Sequence, residues 1–407
     1  MKEIRPALYS REYRGRCPTR DMVIAIKYRL YPTQEQEEKL EQTLDGCRWV
    51  YNYFRSKPMS VNDMQLVLTE LKESHPWLRK YHSKMLQMVV HQIDAARTAL
   101  ASLKANRKKT GVLQYSAGCN TFVYNQSGFK IEKHGNTNLL WLSKVGYCEI
   151  RLHRRPLYIK QISVTRKPSG KWFANIVCDD ASVVMAPPID TSKAVGIDVG
   201  ITKFCHDSDN HEIDNPLHYD KALKRMRRTD RRLSCKQLGS NNYEKYKHMR
   251  AKLWERLYNK RHDFLHKLST IYAKEYDLVF MEKLNVSNMV RNHFLARTIL
   301  DSGWSRFKSM LEYKAKLVIA VPARDTSVDC SRCGNKVPKS LAVWTHRCGG
   351  CGLVIDRDYN ASLNILQHGL ALLWLQQLPR DPGEVTPPEI PALGSRKEEE
   401  TTVIKRW

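Results

Sequence analysis

The chain has 407 residues, long enough for two or more domains, and 42% of them are hydrophobic. Its 68 Lys and Arg stand against 42 Asp and Glu, which gives a formal net charge of +26. Such an imbalance is unusual for an enzyme acting on small molecules, because self-repulsion opposes compaction, and it favours a polyanionic partner such as nucleic acid.

The sequence lacks an apolar run near 18 residues and an apolar N-terminal core, so we expect neither a membrane span nor a signal peptide. Eleven cysteines, an odd count, fit a reducing cytoplasm better than a disulfide framework. Residues 1–21 have no clear periodicity and are predicted to be an N-terminal extension, with Met22 as an alternative start.

The first predicted element is a strand, MVIAIKYRLYP, which begins at Met22. Thr33 then caps a helix whose first turns are rich in Glu. Further helices are predicted at about 61–73 and 81–104 from the spacing of apolar residues.

Short strands follow this helical block. Residues 122–124 and 129–131 flank the turn sequence NQSG and predict one hairpin. Residues 158–166 and 171–178 flank KPSG and predict another. Together with the first strand, these segments predict a β-rich barrel that the helical block interrupts.

A second domain is predicted after Lys193. Its first strand lies in AVGIDVGITKF and carries a single carboxylate, Asp198, between two glycines. The strand YDLVFME ends on another carboxylate, Glu282. A helix at about 298–316 and a strand at 317–321 are predicted next.

Between these two strands lies a strongly basic stretch. Residues 221–274 contain 17 Lys and Arg against four Asp and Glu, and their periodicity predicts a long helical hairpin broken near 239–242. An ordinary solvated face mixes signs through i, i+4 pairs, so this excess favours a surface that follows phosphates. Four of these basic residues are predicted to contact nucleic acid: Lys224, Arg225, Arg228 and Arg232.

Four cysteines near the C-terminus have the spacing of a zinc site. The pattern is C-x2-C-x14-C-x2-C, formed by Cys330, Cys333, Cys348 and Cys351. A glycine follows each pair, where the backbone of a zinc knuckle turns back under the metal. Because four thiolates leave no open coordination position, we expect one structural Zn²⁺.

A third carboxylate, Asp358, opens an apolar helix just after the second cysteine pair. Asp198, Glu282 and Asp358 each lie where buried structure meets an edge, and a lone acid is costly to bury unless it is paired or metal-bound. Three such acids can hold two Mg²⁺ about 4 Å apart for phosphodiester hydrolysis. Isolated acids at strand ends are also commonly just solvated, so spacing alone leaves both interpretations open.

Several segments occur in the order seen in TnpB proteins, a family of transposon-encoded, RNA-guided DNA endonucleases related to small type V CRISPR effectors. They are GIDVGITKF, LVFMEKLNVSNM, two C-x-x-C-G knuckles and DRDYNASLNI. The chain resembles this family from RLYP at Arg29 to SRKEE near the C-terminus. The motifs are specific in combination, whereas GIDVG alone would be weak.

The resemblance implies an α/β fold class: a RuvC/RNase H-like nuclease domain with an inserted zinc ribbon, plus an N-terminal β-barrel (wedge) domain interrupted by a helical recognition insert. The implied boundaries are 22–32 and 110–185 for the wedge, 33–109 for the insert, 190–325 and 355–378 for the nuclease domain with its basic hairpin at 217–275, and 326–354 for the zinc ribbon. Residues 379–407, rich in proline and charge, are predicted to be a disordered tail.

Carried over residue by residue, the catalytic acids of the family fall on Asp198, Glu282 and Asp358, which are expected to hold two Mg²⁺ or Mn²⁺ ions. Asp358, rather than Asp356, fits the family pattern D-x-N-A-x-x-N-I, so Asp356 is expected to be a local cap. The resemblance also implies a guide RNA from the transposon end, a double-stranded DNA target and protein recognition of a short target-adjacent motif.

The residues Ser83, Leu86 and Gln87 match a pattern, S-x-x-L-Q, that contributes to reading this motif in relatives. Ser83 and Gln87 are four residues apart and share a helix face, and Gln can pair with adenine edges in the major groove. It is an equally good interpretation that Ser83 and Gln87 are polar surface residues that bind no ligand.

Other functions remain as alternatives. A nuclease-inactive guided DNA-binding regulator would gain nothing from the three acids, which argues against it. A CRISPR-associated small effector is distinguished by a repeat array, rather than a transposon end, beside the gene. A tyrosine transposase needs a His-rich metal site with a nucleophilic Tyr, and the sequence offers no such motif.

Overall fold

The computed structural model describes residues 22–180, 188–340 and 343–377. They divide into two compact units, whose described parts are 22–180 and 188–377. The predicted extension at 1–21 and tail at 379–407 lie outside the described residues. No helix within the described ranges is long and apolar enough to cross a membrane.

The first unit contains an antiparallel sheet of seven strands. They are β1 Met22–Tyr31, β2 Thr121–Asn125, β3 Phe129–His134, β4 Thr137–Leu142, β5 Gly146–Arg151, β6 Leu157–Arg166 and β7 Trp172–Asp180. Their order is β2-β6-β7-β1-β5-β4-β3, so the first strand of the chain lies at the centre. The predicted hairpin of β6 and β7 is confirmed. β2 and β3 are the two edge strands of this order and are not hydrogen-bonded to each other as strands. The closure of the sheet into a barrel therefore stays a prediction.

Three helices interrupt this sheet between β1 and β2: α1 Gln34–Phe54, α2 Val61–Ser74 and α3 Ser83–Ala105. As predicted, Thr33 caps α1: its hydroxyl accepts the N–H of Gln36, whose side chain accepts the N–H of Thr33. The apolar faces of the helices and the sheet form one core, in which Leu40, Val90 and Trp172 are buried.

The predicted hairpin across residues 125–128 is wrong. β2 pairs with β6, whereas β3 pairs with β4, which puts the two strands at opposite ends of the sheet order. Phe122, Val123 and Tyr124 are buried in succession, so β2 is covered on both faces and contacts α1 and α3. The turn sequence predicts a change of direction, but tertiary packing decides which strands pair.

The second unit is built on a five-stranded sheet. Its strands are β8 Ala194–Val199, β9 Lys203–Asp207, β10 Glu212–Asp214, β11 Leu278–Glu282 and β12 Leu317–Val321. The order is β10-β9-β8-β11-β12, with β8, β11 and β12 parallel to one another. The carboxyl ends of these three strands therefore meet at one edge.

Six helices lie in the described part of this unit: α4 His218–Ser234, α5 Asn241–Glu275, α6 Val286–Met289, α7 His293–Ser302, α8 Trp304–Lys314 and α9 Arg357–Gln377. The predicted break near 239–242 is confirmed, because α4 and α5 are separate helices that pack together. The segment predicted to be helical at about 298–316 is helical, but it contains parts of two helices. Gly303, with φ of 72°, ends α7 and divides it from α8.

Strand β11 is covered on both faces. Val279 and Met281 join a core with α5 and α8, whereas Leu278 and Phe280 join a second core with Ile365 of α9. This alternation, in a run of apolar residues, is typical of a central parallel strand. A small antiparallel pair, β13 Thr345–Arg347 and β14 Val354–Asp356, precedes α9.

Candidate functional site

Asp198 and Glu282 lie at the carboxyl-terminal edge of the second sheet. Asp198 is near the end of β8 and Glu282 is the last residue of β11. The parallel register pairs Ile197 with Met281, so the next step along both strands brings the two acids side by side. The strand register thus produces the juxtaposition of two acids that are far apart in sequence.

Asp358 reaches the same edge on the first turn of α9, which packs on β8. The contact is possible because Gly196 has no side chain: a Cβ there would lie 2.3 Å from the carbonyl oxygen of Ser362. Asp356 is a local cap, as predicted, since its Oδ1 accepts the N–H groups of Asp358 and Tyr359 at 2.8 and 3.1 Å.

The charges of Glu282 and Asp358 affect the ionisation of Asp198. Burial, and then the negative charges of Glu282 and Asp358, raise the pKa of Asp198 well above its ordinary value, although the Arg357 guanidinium opposes the shift. Burial also raises the pKa of Glu282, against a hydrogen bond from Thr326. Glu282 and Asp358 therefore lie close enough to Asp198 for their charges to act on its carboxylate.

The acids are more widely spaced than the ligands of a single closed metal site. Among the described residues, the one group with three or more potential ligand atoms within 4.8 Å of one another is the cysteine quartet. A centre that holds two ions about 4 Å apart can accept ligands spaced more widely than this. Hard carboxylate oxygens at such a site suit Mg²⁺ or Mn²⁺.

Two neighbours that the sequence interpretation missed hold these acids in place. Thr326 donates its hydroxyl proton to Oε1 of Glu282. Arg357 donates from Nε to Oδ1 of Asp358 at 3.0 Å, and its guanidinium lies 4.6 Å from the ring centre of Trp344. Arg357 precedes Asp358 directly in the sequence, whereas only the fold brings Thr326 to Glu282.

His206 is a third missed residue. It lies opposite Asp198 in the β8–β9 pair and is buried. Its Nδ1 is 3.5 Å from Oδ1 of Asp356, and its ring stacks on Tyr359 with the ring centres 5.4 Å apart. His206 thus connects the strand beside Asp198 to the cap of the helix that carries Asp358.

The four predicted zinc ligands come together. The Sγ atoms of Cys330 and Cys351 are 3.6 Å apart, and those of Cys333 and Cys348 are 3.5 Å apart. A tetrahedral zinc with Zn–S bonds of about 2.3 Å requires sulfur separations of roughly 3.8 Å. The donor set and its spacing therefore fit one Zn²⁺.

The backbone turns tightly at each knuckle. Gly334 and Gly352 have φ of 72° and 73°, and their N–H groups donate to the carbonyls of Cys330 and Cys348 at 2.8 and 3.0 Å. Hydrogen bonds from the backbone, that of Cys351 first, lower the pKa of the Cys348 thiol to about 6.

Two buried asparagines of α9 join the knuckles to the acidic edge. Asn360 accepts the N–H of Ser331 at 3.0 Å and donates to the carbonyl of Asp329 at 2.8 Å. Asn364 donates to the carbonyls of Thr326 and Asp329, both at 2.7 Å. These bonds give a physical reason for both asparagines in the DRDYNASLNI segment.

The predicted nucleic-acid contacts lie on two different helices. Ser83 begins α3, where its hydroxyl accepts a hydrogen bond from Lys72 at 3.0 Å, and Gln87 follows one turn later. The four basic residues predicted on the hairpin are all exposed on α4: Lys224, Arg225, Arg228 and Arg232. Their binding roles stay predictions.

Three family models match the chain. A model for OrfB_IS605, described as "Probable transposase", matches residues 167–293. A Cas12f1-like TNB domain matches residues 304–365, and the helix-turn-helix domain of OrfB_IS605 matches residues 22–56. The first two models span the sheet, the basic helices and the cysteine quartet described above.

Two of the curated relatives described here match most of the chain, and a third matches part of it. A protein of Streptomyces pristinaespiralis, named "Putative RNA-guided DNA endonuclease", is 33% identical over 85% of this chain and 89% of its own length. The Escherichia coli K12 protein InsQ, given the same description, is 28% identical over 86% of this chain and 93% of its own length. "TnpB-like protein MJ0012" of Methanocaldococcus jannaschii is 33% identical over 30% of this chain and 58% of its own length.

Among solved structures, a Cas12f1–sgRNA–target DNA complex contains a chain with 14% identity and a TM-score of 0.48, covering 84% of this chain and 98% of that one. The family assignment depends instead on the sequence relatives, one of which is 33% identical over nearly its whole length. Together with the matched family models, this similarity shows that the chain belongs to the TnpB family.

Proposed function

We propose that the protein is an RNA-guided DNA endonuclease of a transposon, which hydrolyses phosphodiester bonds in a RuvC-type nuclease domain at 190–325 and 355–378. One observation carries the proposal: three carboxylates from separate parts of the sequence meet at a single sheet edge, where burial, and then the negative charges of Glu282 and Asp358, raise the pKa of Asp198. The curated names of the relatives describe the same activity.

Asp198, Glu282 and Asp358 are the proposed ligands of two Mg²⁺ or Mn²⁺ ions. The environment of Asp198 supports this assignment, because a divalent cation would stabilise a carboxylate that burial and the charges of Glu282 and Asp358 destabilise. When bound, such ions supply activation of the attacking water and stabilisation of the departing 3′ oxygen. Thr326 and Arg357 orient the carboxylates of Glu282 and Asp358.

The proposed partners are a guide RNA from the transposon end and a double-stranded DNA target. Base pairing by the guide would select the sequence, while the protein would contact phosphates and a short target-adjacent motif. We assign phosphate contacts to the exposed basic residues of α4 and motif reading to Ser83 and Gln87. One structural Zn²⁺ in the ribbon at 326–354 would hold the acidic edge through α9.

The first test is cleavage of a plasmid that carries a matched target and motif, by protein purified with its co-expressed flanking RNA. We expect Asp198→Ala to reduce cutting more than 100-fold and to leave target binding intact. Even residues that only support a metal ligand cost about 10–100-fold when removed, so the loss of a ligand should cost more.

Glu312→Ala is the matched control, because Glu312 is an exposed carboxylate on α8, away from the sheet edge. It should cut at the wild-type rate. Undiminished cutting by Asp198→Ala would reject the assignment of the acids. A wild-type protein that binds the matched plasmid without cutting it would indicate a guided DNA-binding regulator instead.

A further inference from the structure

A strip of aromatic rings lies on the surface of the basic helices. Trp254 and Tyr258 are four residues apart on α5, share one helix face, and are 41% and 44% exposed. The ring of Tyr219 on α4 lies 6.1 Å from that of Trp254. Because the rings of Trp254 and Tyr258 are exposed, they contribute little to the hydrophobic core. They are available to bind a ligand.

Three arginines lie against these rings. The Arg306 guanidinium is 5.1 Å from the ring centre of Tyr258, and those of Arg297 and Arg261 are 5.9 and 6.0 Å from that of Tyr219. We call the six residues the aromatic strip: Tyr219, Trp254, Tyr258, Arg261, Arg297 and Arg306. Cation–π contacts of this kind restrain the rings and place positive charge beside them.

The aromatic strip is built on a fixed support. Asp301 is buried and accepts hydrogen bonds from the Arg261 side chain and, at 2.9 Å, from the backbone N–H of Tyr219. One carboxylate thereby holds a ring and a guanidinium of the aromatic strip together. Such preorganisation lowers the entropy that a ligand must otherwise offset on binding.

Hydrogen bonds connect this support to the acidic edge. Asn215 donates to the carbonyl of Ile201 at 2.8 Å and to the hydroxyl of Ser302 at 3.1 Å. Ile201 follows Asp198 by three residues, and Ser302 follows Asp301 directly. The aromatic strip therefore begins beside the loop that leaves the carboxylate-bearing end of β8.

Rings between basic residues suit an unpaired nucleic-acid strand. Residues 221–274 carry 17 Lys and Arg against four Asp and Glu, a charge complementary to phosphates. Aromatic side chains in a basic groove stack on successive bases of a single strand. The bases of a duplex are already stacked on one another, so a duplex gains little from exposed rings.

We propose that the aromatic strip binds single-stranded DNA by base stacking and leads that strand to Asp198, Glu282 and Asp358. This inference rests on the proposed function, because pairing of a guide RNA with one strand of the target displaces the other DNA strand and leaves it unpaired. It adds base contacts on α5 to the phosphate contacts assigned to α4. Single-stranded RNA is the competing ligand, and the experiment separates the two.

The test measures the affinity of the full chain with its guide RNA for a labelled DNA oligonucleotide that does not match the guide, without added magnesium. We expect Trp254→Ala and Tyr258→Ala each to weaken binding about tenfold. Trp254→Phe should retain most of the affinity, because it keeps a stacking ring. A 2-aminopurine base in the oligonucleotide should lose its stacking-dependent fluorescence change in the Ala variants.

Two controls separate stacking from charge and from folding. Trp374→Ala removes an exposed tryptophan of α9 outside the aromatic strip, and it should leave affinity unchanged. The Ala variants of the aromatic strip should keep the wild-type dependence of affinity on salt, whereas Arg225→Ala should reduce its slope by about one. Unchanged melting temperatures would establish that the variants fold.

Unchanged DNA affinity in the Trp254→Ala, Tyr258→Ala double variant would overturn the proposal. So would a loss confined to a labelled RNA oligonucleotide, which would assign the aromatic strip to RNA. Plasmid cutting by Asp198→Ala is measured separately. If that variant cuts normally while the aromatic-strip variants lose DNA affinity, the nuclease assignment fails and the binding surface stands.

Discussion

Asp198 is a carboxylate in surroundings that destabilise its ionised form. Its carboxylate lies in an apolar strand, beside Glu282 and within reach of the charge of Asp358, and the Arg357 guanidinium and a backbone hydrogen bond at Val199 offset this effect only in part. A protein that gained only stability from this position would use an uncharged residue. The arrangement is typical of a site where function opposes stability.

We predict that Asp198→Asn stabilises the magnesium-free protein. Burial and the neighbouring carboxylates raise the pKa of Asp198, so its ionised form destabilises the folded state at neutral pH. Asn has nearly the same shape without the charge. The free energy of unfolding in urea at pH 7 should increase on the order of 1 kcal/mol.

This gain should depend on pH. As pH falls from the raised pKa of folded Asp198 towards the ordinary pKa of the unfolded chain, the penalty decreases, and it is absent below both pKa values, so the two proteins should converge in acid. Asp214→Asn is the control, since Asp214 is exposed on β10. A variant no more stable than the wild type, or a gain that is the same at every pH, would argue against repulsion at Asp198.

Individual site residues could be predicted where the residue type and its position in the sequence are sufficient to identify them. Acids at strand ends and cysteines at fixed spacing stand out in the sequence, and the structure brings both sets together. The supporting residues could not be found in this way. Thr326 and His206 become partners of Glu282 and Asp356 only after distant segments pack together.

At the scale of elements, the cysteine quartet and α9 form one mechanical unit. β14 runs directly into α9, and the buried side chains of Asn360 and Asn364 bind the backbone of residues 326–331. Because Asp358 lies on the first turn of α9, disorder in the quartet would displace a carboxylate of the candidate active site.

We therefore predict that loss of zinc affects both stability and cutting. The wild-type protein should contain one zinc per chain by mass spectrometry of the metals. Cys330→Ser should lose it, melt at a lower temperature and cut at least tenfold more slowly, because structural zinc sites contribute much of the folding free energy of small metal-bound domains.

The matched control is Cys235→Ser, which removes an exposed cysteine outside the quartet. It should keep both zinc and activity. A wild-type protein without zinc, or a Cys330→Ser variant with full zinc content, would contradict a four-thiolate site.

Secondary-structure elements were predicted correctly where a local sequence pattern determines them. The prediction failed where strands pair with segments that are distant in the sequence. The strands around Asp198 and Glu282 and the break between α4 and α5 follow from local patterns. The NQSG turn predicted the wrong partner for β2, whose three consecutive buried residues require cover that only distant segments supply. Met249 follows the apolar spacing of α5 and is nevertheless 40% exposed.

At the scale of the whole molecule, the net charge of +26 has to be reconciled with folding. Half of this excess lies in residues 221–274, where α5 extends as a helix of 35 residues with buried positions only from Leu257 onward. The basic face is therefore available to a polyanion. Periodicity predicts the helices, but it does not predict which part of a long helix the core covers.

The central claim is that three carboxylates form one two-ion centre. Crystals of the protein with guide RNA and target DNA, grown in Mn²⁺, would test it by anomalous scattering. We predict two Mn²⁺ peaks about 4 Å apart, in contact with Asp198, Glu282 and Asp358. Manganese peaks elsewhere, with the three carboxylates bound to no ion, would contradict it.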